Sequence, residues 1–495
     1  MKRSIAIIGA GPGGLRVLKD SIENGLEPTL LERGSSVGGQ WSPRNKENHH
    51  SSTYESLITN VSTEMSCFSD FPLPFNTPDN IKAKDFYKYF EDFVKTFNLE
   101  NFIRFKSNVI DITPIEVPSK IKIGSKGWSV TWKTENGNLE RGIFDFVAIA
   151  IGFNSKPNLI HINGEETFTG RIIHSHDFIC SSYFEKEKNV VVVGSGSSGC
   201  DIANELSNIE DKKVSLSIRN SAFIYPRVIN HKPLGQITFK RYLHYRLIKF
   251  WNFFFTIKKN IYILKATFPY IFKPTLRDFF NPPKRVAIGT DIIKSISEKK
   301  ISIFPAIKKI NNREVEFTDG SKLSDVDLIV TATGFLRDLP FLSKEIITTP
   351  AKTSLGLYNS IYPINTSNLF FIGMVGSRGS IVSLVEFQVR HLMAVLNGIV
   401  QLPTDIEMKK EVGIPQIGKS NDLVDTISYY DKLMKPLGAT PNFFKLLFSD
   451  PYLAYCCWFK PCHILQWRLT GYGKFERAKK DLLEFCDRYN NLHFT

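Results

Sequence analysis

Two glycine clusters in this chain have the residue types and spacing to hold phosphate. Gly9-Ala10-Gly11-Pro12-Gly13-Gly14 follows the apolar run Ser4 to Ile8, and Glu32 comes eighteen residues after Gly14. Glycines at such spacing permit a tight turn and let backbone N–H groups approach a pyrophosphate at a helix N-terminus. An acidic residue at the end of the next strand then accepts hydrogen bonds from ribose hydroxyls. Gly194-Ser195-Gly196-Ser197-Ser198-Gly199 repeats the arrangement, with Asp201 shortly after it, but its following strand ends in Arg219 instead of a carboxylate. A carboxylate there would repel a 2′-phosphate, whereas a guanidinium pairs with it bidentately. The order, acidic first and basic second, predicts FAD on the first cluster and NADPH on the second. The competing reading of Arg219 is one more solvated cation in a basic region.

Hydrophobic periodicity supplies the elements that must position these clusters. Ser4 to Ile8 reads as a strand, Leu15 to Asn24 as the helix after it and Pro28 to Glu32 as a second strand. Asn189 to Val193, Cys200 to Ser207 and Val214 to Ile218 repeat that order. Phe146 to Gly152 and Leu328 to Gly334 are apolar strand ends running into glycine, where the chain crosses from one half to the other. The predicted fold class is α/β, with two Rossmann-like dinucleotide-binding domains, the NADPH domain inserted into the FAD domain. Residues 1–160 are expected to form the first part of the FAD domain. Residues 161–330 form the NADPH domain, with a basic aromatic insert at about 225–285, and 331–495 return to the FAD domain and complete the C-terminal region.

A chain of 495 residues has room for both domains, and 42% hydrophobic with 23% charged residues excludes a disordered polymer. The seven cysteines, Cys67, Cys180, Cys200, Cys456, Cys457, Cys462 and Cys486, are odd in number and irregularly spaced, which points away from a disulfide framework and toward a reducing compartment. The basic start and short apolar run MKRSIAII lead directly into the first glycine cluster, which needs them as a strand, so a secretory signal is not expected. Nor is a spanning helix, since no stretch of about 20 residues is apolar throughout. Cys456-Cys457 with Cys462-His463 lacks a standard zinc spacing and sits among Tyr452, Tyr455, Trp458, Phe459 and Trp467, which points to packing and to no metal.

Between the glycine clusters, Phe168-Thr-Gly170-Arg-Ile-Ile-His174-Ser175-His-Asp-Phe178 resembles the FxGxxxHxxxY signature of flavin-containing monooxygenases. The last place departs: Phe178 stands where that family usually has tyrosine and Baeyer–Villiger relatives usually have tryptophan. Gly38-Gly39-Gln40-Trp41 looks like the family's GGxW flavin segment. Thr59-Asn60-Val61, with Met65 to Pro72, resembles the stretch beside the isoalloxazine. Thr331 to Phe335, Glu386-Phe387-Gln388-Val389-Arg390 and Leu469 to Lys474 are similar to further family blocks, so the resemblance covers nearly the whole chain.

That resemblance, to class B flavoprotein monooxygenases of the dimethylaniline type, implies a chemistry. NADPH reduces FAD, O2 adds to form a C4a-hydroperoxide, and a soft nitrogen or sulfur nucleophile in a small lipophilic molecule attacks its distal oxygen. The protein then mainly positions and protects. It makes Asn60 the catalytic donor, because a neutral amide can hold the oxygen, or the nicotinamide ribose, without delivering a proton that would release hydrogen peroxide. Gly39, Gln40, Trp41, Thr59, Asn60 and Val61 join the first glycine cluster and Glu32 on the FAD side; Asp201, Arg219 and Gln388 join the second on the NADPH side. Gln388 has a second reading, as a helix-surface glutamine. Phe168, Gly170, His174, Ser175 and Phe178 form the interdomain signature, with His174 and Ser175 either in a hinge or purely structural.

Total charge is 63 − 49 = +14, and the fourteen cations from Lys212 to Arg277, unaccompanied by any acid, account for it. Within 240–280 these alternate with aromatic rings, as suits a lipid headgroup boundary; a buried helix pair with a solvated cationic face is the other reading. The chain ends in Asn490-Asn-Leu-His-Phe-Thr495 without the apolar tail that vertebrate family members carry. The expected location is therefore cytoplasmic, with at most a peripheral contact on the cytosolic face of an internal membrane such as the endoplasmic reticulum. The expected partners are a small nucleophilic substrate and O2. A pI near 9.2 permits nucleic-acid binding, but no module for it is visible, and oligomeric state leaves no trace. Flavin disulfide reductases share the nested order but need a redox cysteine pair, which Cys67 lacks. Baeyer–Villiger oxygenation of ketones and a non-catalytic nucleotide-binding relative stay open.

Overall fold

The computed structural model describes residues 2–44, 50–74, 76–116, 126–219, 223–229, 232–244, 286–289, 291–347, 355–364, 366–377, 379–412 and 423–491. Strand β1 (Ser4–Ile8) is apolar on both sides because both faces of its sheet are covered. Ile5 and Ile7 face a core shared with helix α1 (Pro12–Glu23) and the helix Ile381–Leu396. Ala6 and Ile8 face a core that holds Trp128, Val130 and Trp132 of an antiparallel meander, Asn108–Glu116, Lys126–Lys133 and Leu139–Phe144. Strand β2 (Glu27–Leu31) pairs parallel to β1, and Phe146–Ile149 pairs parallel to its other edge. The five-stranded sheet is completed by Ile103–Arg104 beside β2 and by Leu369–Phe371, from the far end of the chain, beside Phe146–Ile149.

A second five-stranded parallel sheet has the order Ile301–Phe304, Lys213–Ser217, Asn189–Val193, Leu328–Thr331, Arg171–His174. Its strands all come from the interval between two strands of the first sheet, which is the nested α/β arrangement of two Rossmann-like units. Helix α2 (Ala83–Thr96) packs its Phe86, Phe90 and Phe93 into the first core, and α3 (Ser197–Ser207) packs Ile202 and Leu206 into the second. Both α1 and α3 begin three residues earlier than their apolar periodicity predicts. The turn glycines already have helical backbone, so the first helical turn is made of residues that carry no hydrophobic signal.

The return segment is tied to α1 through buried charge. Arg16 contacts Asp20 at 2.9 Å and Asp70 at 2.6 Å, and Lys19 contacts Asp70 at 2.9 Å. Arg468 reaches Glu386 at 2.8 Å and the Ser69 hydroxyl at 2.7 Å, while Ser69 N–H donates to Glu386 at 2.7 Å. Burial alone would raise the carboxyls of Asp70 and Glu386. The guanidiniums of Arg16 and Arg468, with the Lys19 ammonium beside Asp70, hold both below the usual carboxylate range.

Three of the fourteen cations from Lys212 to Arg277 are internal, and one of them, Arg241, lies in the 240–280 stretch read as lipid-facing or solvated, a correction at that residue. Lys212 donates to the carbonyls of Phe184 and Glu187, Arg227 pairs with Asp201, and Arg241 is fully buried. Arg241 makes two hydrogen bonds to Asp431, at 2.6 and 3.0 Å, with Trp467 4.5 Å from its guanidinium. Opposite charge and ring faces satisfy a cation without water. Residues 245–285 lie outside the described residues, and with them most of the expected membrane contact. Among the described residues no helix is long and apolar enough to cross a membrane. Cys456, Cys457 and Cys486 pack with Leu453, Trp458 and Leu482 in a small core, as the aromatic neighbours implied.

His391 is buried beside the Tyr362 hydroxyl at 2.8 Å, and burial, helped by the Lys432 charge, lowers its pKa to about 4. A free histidine titrates near 6.5, so on acidification the unfolded chain takes up this proton first. The stability His391 contributes is complete above about pH 6.5 and is lost as pH falls toward 4. His391→Gln should flatten the fall in stability across that window by up to about 1.4 kcal/mol per pH unit. Thermal unfolding at half-unit pH steps measures the slope; identical slopes in wild type and variant would contradict it.

Candidate functional site

The first glycine turn opens onto a cavity of about 560 Å³ whose wall includes Gly9, Gly11, Pro12, Gly13, Glu32, Gly39, Gln40 and Trp41. Gly11 stands at the cap of helix α1 and offers no side-chain hydrogen bond, so the amides of the first turn are left for a ligand. Glu32 is clamped at the wall: one carboxylate oxygen accepts from Ala10 N–H at 2.6 Å, the other from Gly34 N–H at 2.7 Å. A carboxylate has about four acceptor positions, so two remain for hydroxyls. Gly39 has φ +57°, and a Cβ there would lie 2.9 Å from the Gly11 Cα. The GGxW-like loop therefore closes directly on the first glycine turn, and only glycine fits the contact.

Gln40 sits at the cavity with its side-chain oxygen accepting from Asn154 at 3.2 Å and its carbonyl held by the Ser51 and Thr53 hydroxyls. Trp41 packs edge-on against Phe86 at 4.7 Å. Gln388 is neither a surface glutamine nor free to reach a nucleotide. It is fully buried, its oxygen accepting from Gly373 N–H at 2.8 Å and its NH2 group donating to the Tyr429 hydroxyl at 2.8 Å. Gly373 lines the same cavity, so Gln388 acts on that wall and not on the NADPH side.

In the second unit α3 begins at Gly196, again without a side-chain cap, and a Cβ on Gly196 would meet nothing within 4 Å, so the turn faces open space. Gly14 and Gly199, at matching places, are required by contact: a side chain on either would collide with the carbonyl of Gly9 or Gly194. Ser197 accepts from Ile288 N–H at 3.2 Å, and Ser198 is exposed on the first turn of α3. Arg219 lies exposed just beyond the strand Lys213–Ser217 and has no ion-pair partner among the described residues. That is the state of a cation available to a phosphate.

Asp201 has a different job from the one its position suggested. Both its oxygens lie 2.9 Å from Arg227 Nη2, and one also accepts from the Tyr54 hydroxyl at 2.7 Å. Arg227 Nε in turn donates to the side-chain oxygen of Asn60 at 3.0 Å. Tyr54 and Arg227 went unnoticed in the sequence, where an isolated tyrosine and one cation among fourteen give no signal. Thr59 is buried, its hydroxyl accepting from Ile81 N–H at 2.9 Å, and Val61 packs on the first core.

The segment carrying Asn60 joins the two units at other points, through Arg44 to Asp177 at 2.9 Å and Glu55 N–H to the Ile179 carbonyl at 2.9 Å. His174 ends the strand Arg171–His174. It is buried, with Nδ1 accepting from His176 N–H at 3.0 Å and its ring edge-on to Phe335; burial, and then His176, lower its pKa. Ser175 is buried beside it. Phe178 is fully buried and stacked on Phe184, centroids 5.5 Å apart, an apolar site where a phenol would need a hydrogen-bond partner. Phe168 packs on the edge of the second unit, and a Cβ on Gly170 would come within 2.5 Å of the Asp327 carbonyl. All seven cysteines are buried and free, and burial pushes the Cys67 thiol up to about 12, which is unlike a redox thiol.

The family model described as flavin-binding monooxygenase-like matches residues 2–493. The chain is 32% identical over 516 residues to the rat N-oxide-forming dimethylaniline monooxygenase 2, with 98% of this chain and 91% of the relative covered. It is also 32% identical to dog flavin-containing monooxygenase 1, covering 99% and 93%. Among solved structures, the S-allyl-L-cysteine S-oxygenase of Allium sativum aligns with a TM-score of 0.63 at 22% identity over 92% of this chain and 93% of that one. NADP+-bound cyclohexanone monooxygenase from Rhodococcus sp. Phi1 aligns with a TM-score of 0.60 at 16% identity, covering 91% and 98%, a likeness of fold.

Removal of the free guanidinium should be felt by one nicotinamide cofactor and not the other. Arg219→Ala is expected to raise KM for NADPH roughly tenfold to a hundredfold, the worth of a charge-assisted hydrogen bond, while leaving KM for NADH within about twofold. Steady-state kinetics with both cofactors measure this, and an equal loss for both would assign the 2′-phosphate to another residue.

Proposed function

Because the chain belongs to the flavin-binding monooxygenase-like family, we propose that it transfers one oxygen atom of O2 to a soft nitrogen or sulfur nucleophile in a small lipophilic molecule. It is a flavin monooxygenase, an oxidoreductase that uses FAD and takes its electrons from NADPH. Two electrons from NADPH and two protons, one of them the cofactor's own, convert the second oxygen atom to water. The observation that carries the nitrogen preference is the match, along nearly the full length of both chains, to a relative named for N-oxide formation, and sulfur joins it as the other soft nucleophile.

The residues present fit both nucleotides. The uncapped first turns of α1 and α3 offer backbone N–H groups to the two pyrophosphates, Glu32 offers free acceptor positions to a ribose, and Arg219 offers a cation to the 2′-phosphate. When bound, FAD and NADPH supply hydride transfer and oxygen activation. The chain's own part is to hold, orient and exclude water. Gln388 keeps Gly373 in the cavity wall, and the packing of Gly39 on Gly11 keeps side chains out of the phosphate turn. Asn60 has one amide face engaged by Arg227 and the other, its NH2 group, available to an oxygen atom. An amide donates a hydrogen bond there without ionising, so it steadies negative charge and keeps its proton.

We further propose that 240–280 makes a peripheral contact with an anionic membrane face, on the pattern of rings and cations in that stretch. Full-length protein should float with vesicles containing anionic lipid at low salt and be released near 0.5 M salt, at roughly the point where screening shortens to a few Å. Sedimentation free of vesicles at both salt levels would remove this contact.

The reaction itself is tested with FAD-loaded protein, NADPH and 18O2, offered a thioether, a tertiary amine and a cyclic ketone. Sulfoxide and N-oxide carrying one labelled oxygen are expected. Lactone as the main product would move the assignment to Baeyer–Villiger chemistry, and NADPH consumption with only hydrogen peroxide formed would overturn the oxygenase reading.

A further inference from the structure

Asn60 does not stand alone. Its side-chain oxygen accepts from Arg227 Nε at 3.0 Å, and a guanidinium has donors but no acceptor, so the amide can face Arg227 only through oxygen. Its NH2 group makes no hydrogen bond to the described residues. Arg227 is itself 6% exposed and is held by Asp201, both of whose carboxylate oxygens lie 2.9 Å from Nη2. The Tyr54 hydroxyl donates to the same carboxylate at 2.7 Å, and Tyr54 is fully enclosed in the second core although it belongs to the segment that carries Asn60. The four side chains form one hydrogen-bonded chain: Tyr54, Asp201, Arg227, Asn60.

Resting on the oxygenase reading, we propose that Arg227 and Asp201 are positioning residues that fix the Asn60 amide in one of its two flips, leaving NH2 as the face offered to the oxygen being transferred. The sense of that flip matters. Turned over, the amide would present a carbonyl to developing negative charge and repel it, so an unconstrained asparagine would supply the needed donor only part of the time. Asp201 sits in the first turns of α3, the helix whose N-terminus receives the second pyrophosphate. The donor on the FAD side is thus set by a side chain of the NADPH-binding helix, and nucleotide binding in one unit reaches the oxygen site in the other through two hydrogen-bonded contacts, Asp201 to Arg227 and Arg227 to Asn60. Arg227 without Asp201 would be a buried, unbalanced cation, so the pair acts together.

Two readouts test this in the FAD-loaded protein. The first is the fraction of consumed NADPH that appears as hydrogen peroxide in the presence of a thioether. Arg227→Gln and Asp201→Asn should each raise it roughly fivefold or more, as should Asn60→Ala, given the usual cost of losing a preorganised donor. The double variant Arg227→Gln/Asn60→Ala should match Asn60→Ala within about twofold, because both changes remove one function. Fully additive effects would overturn the proposal. The second readout is independent of turnover: with 15N-asparagine labelling, the Asn60 side-chain NH2 signal, identified by its loss in Asn60→Ala, should be one sharp pair in the wild type. It should broaden or shift in Arg227→Gln and in Asp201→Asn, and an unchanged signal in both would overturn the proposal. If one variant fails to fold, the other carries both measurements. A wild type that oxygenates no probe would remove the oxygenase reading, whereas the amide signal would still decide whether Asn60 is held by Arg227.

Discussion

A buried set of charges has to be assembled completely, and that requirement organises this molecule around its first nucleotide site. Arg16 and Lys19 of α1, Ser69, Glu386 of the return helix and Arg468 meet away from water, with the half-buried Asp70 closing the set at its edge. Removing one member of such a set leaves its partner charged and unsolvated, at about 3–5 kcal/mol. The set forms only when four stretches of chain, separated by up to about 450 residues, arrive together. The first turn of α1 is the uncapped glycine turn at the cavity, and its next two turns carry Arg16 and Lys19. The ionic set therefore aims that turn. Glu386 lies two residues before Gln388, which holds Gly373 in the cavity wall, so one return helix fixes both the floor and the side of the site.

The second unit uses the same backbone logic with different chemistry at the edge. Gly14 and Gly199 both sit where a helix crosses the preceding turn too closely for a side chain, which keeps α1 and α3 in equivalent places over their strands. After the following strand the two units diverge. Glu32 is bound to backbone amides on both oxygens and so is rigid, whereas Arg219 is exposed and unpaired among the described residues. Rigid acceptors suit neutral ribose hydroxyls, whose hydrogen bonds are directional; a long cation suits a doubly charged phosphate, whose attraction is less so.

Much of this was legible in the sequence because it is local. Glycine turns, the strands feeding them and the residue closing each unit lie within about thirty residues of one another, and their spacing alone carries the geometry. Helix starts were misplaced because a turn glycine gives no periodic signal, even where its amide belongs to the first helical turn. The charged residues were misread for another reason. Arg227 and Arg241 look like members of a solvated basic stretch, yet each is buried against a counter-ion, Asp201 and Asp431, that lies 26 and 190 residues away. Nothing in residue type distinguishes a buried cation from an exposed one until the fold delivers its counter-ion. Gln388 was misjudged similarly: its helix is buried nearly all round, so helical spacing could not say which face a polar side chain would satisfy.

The stretch from Phe168 to Phe178, the strongest family signature in the sequence, turns out to consist mainly of packing. Phe178 is stacked in the second core, Gly170 fits under the Asp327 carbonyl, and His174 is a buried imidazole whose lowered pKa keeps it neutral, with Nδ1 accepting from the backbone. Such residues register one edge strand against the second sheet. The polar contacts between the units are made instead by the less distinctive residues Arg44, Tyr54, Glu55 and Asn60, which meet Asp177, Asp201, Ile179 and Arg227 in turn. The division is physically reasonable. A connection that must stay in register is best made of close-packed apolar groups, which have one good fit. A connection that orients a single amide, as Arg227 does Asn60, needs directional hydrogen bonds, which only polar side chains provide.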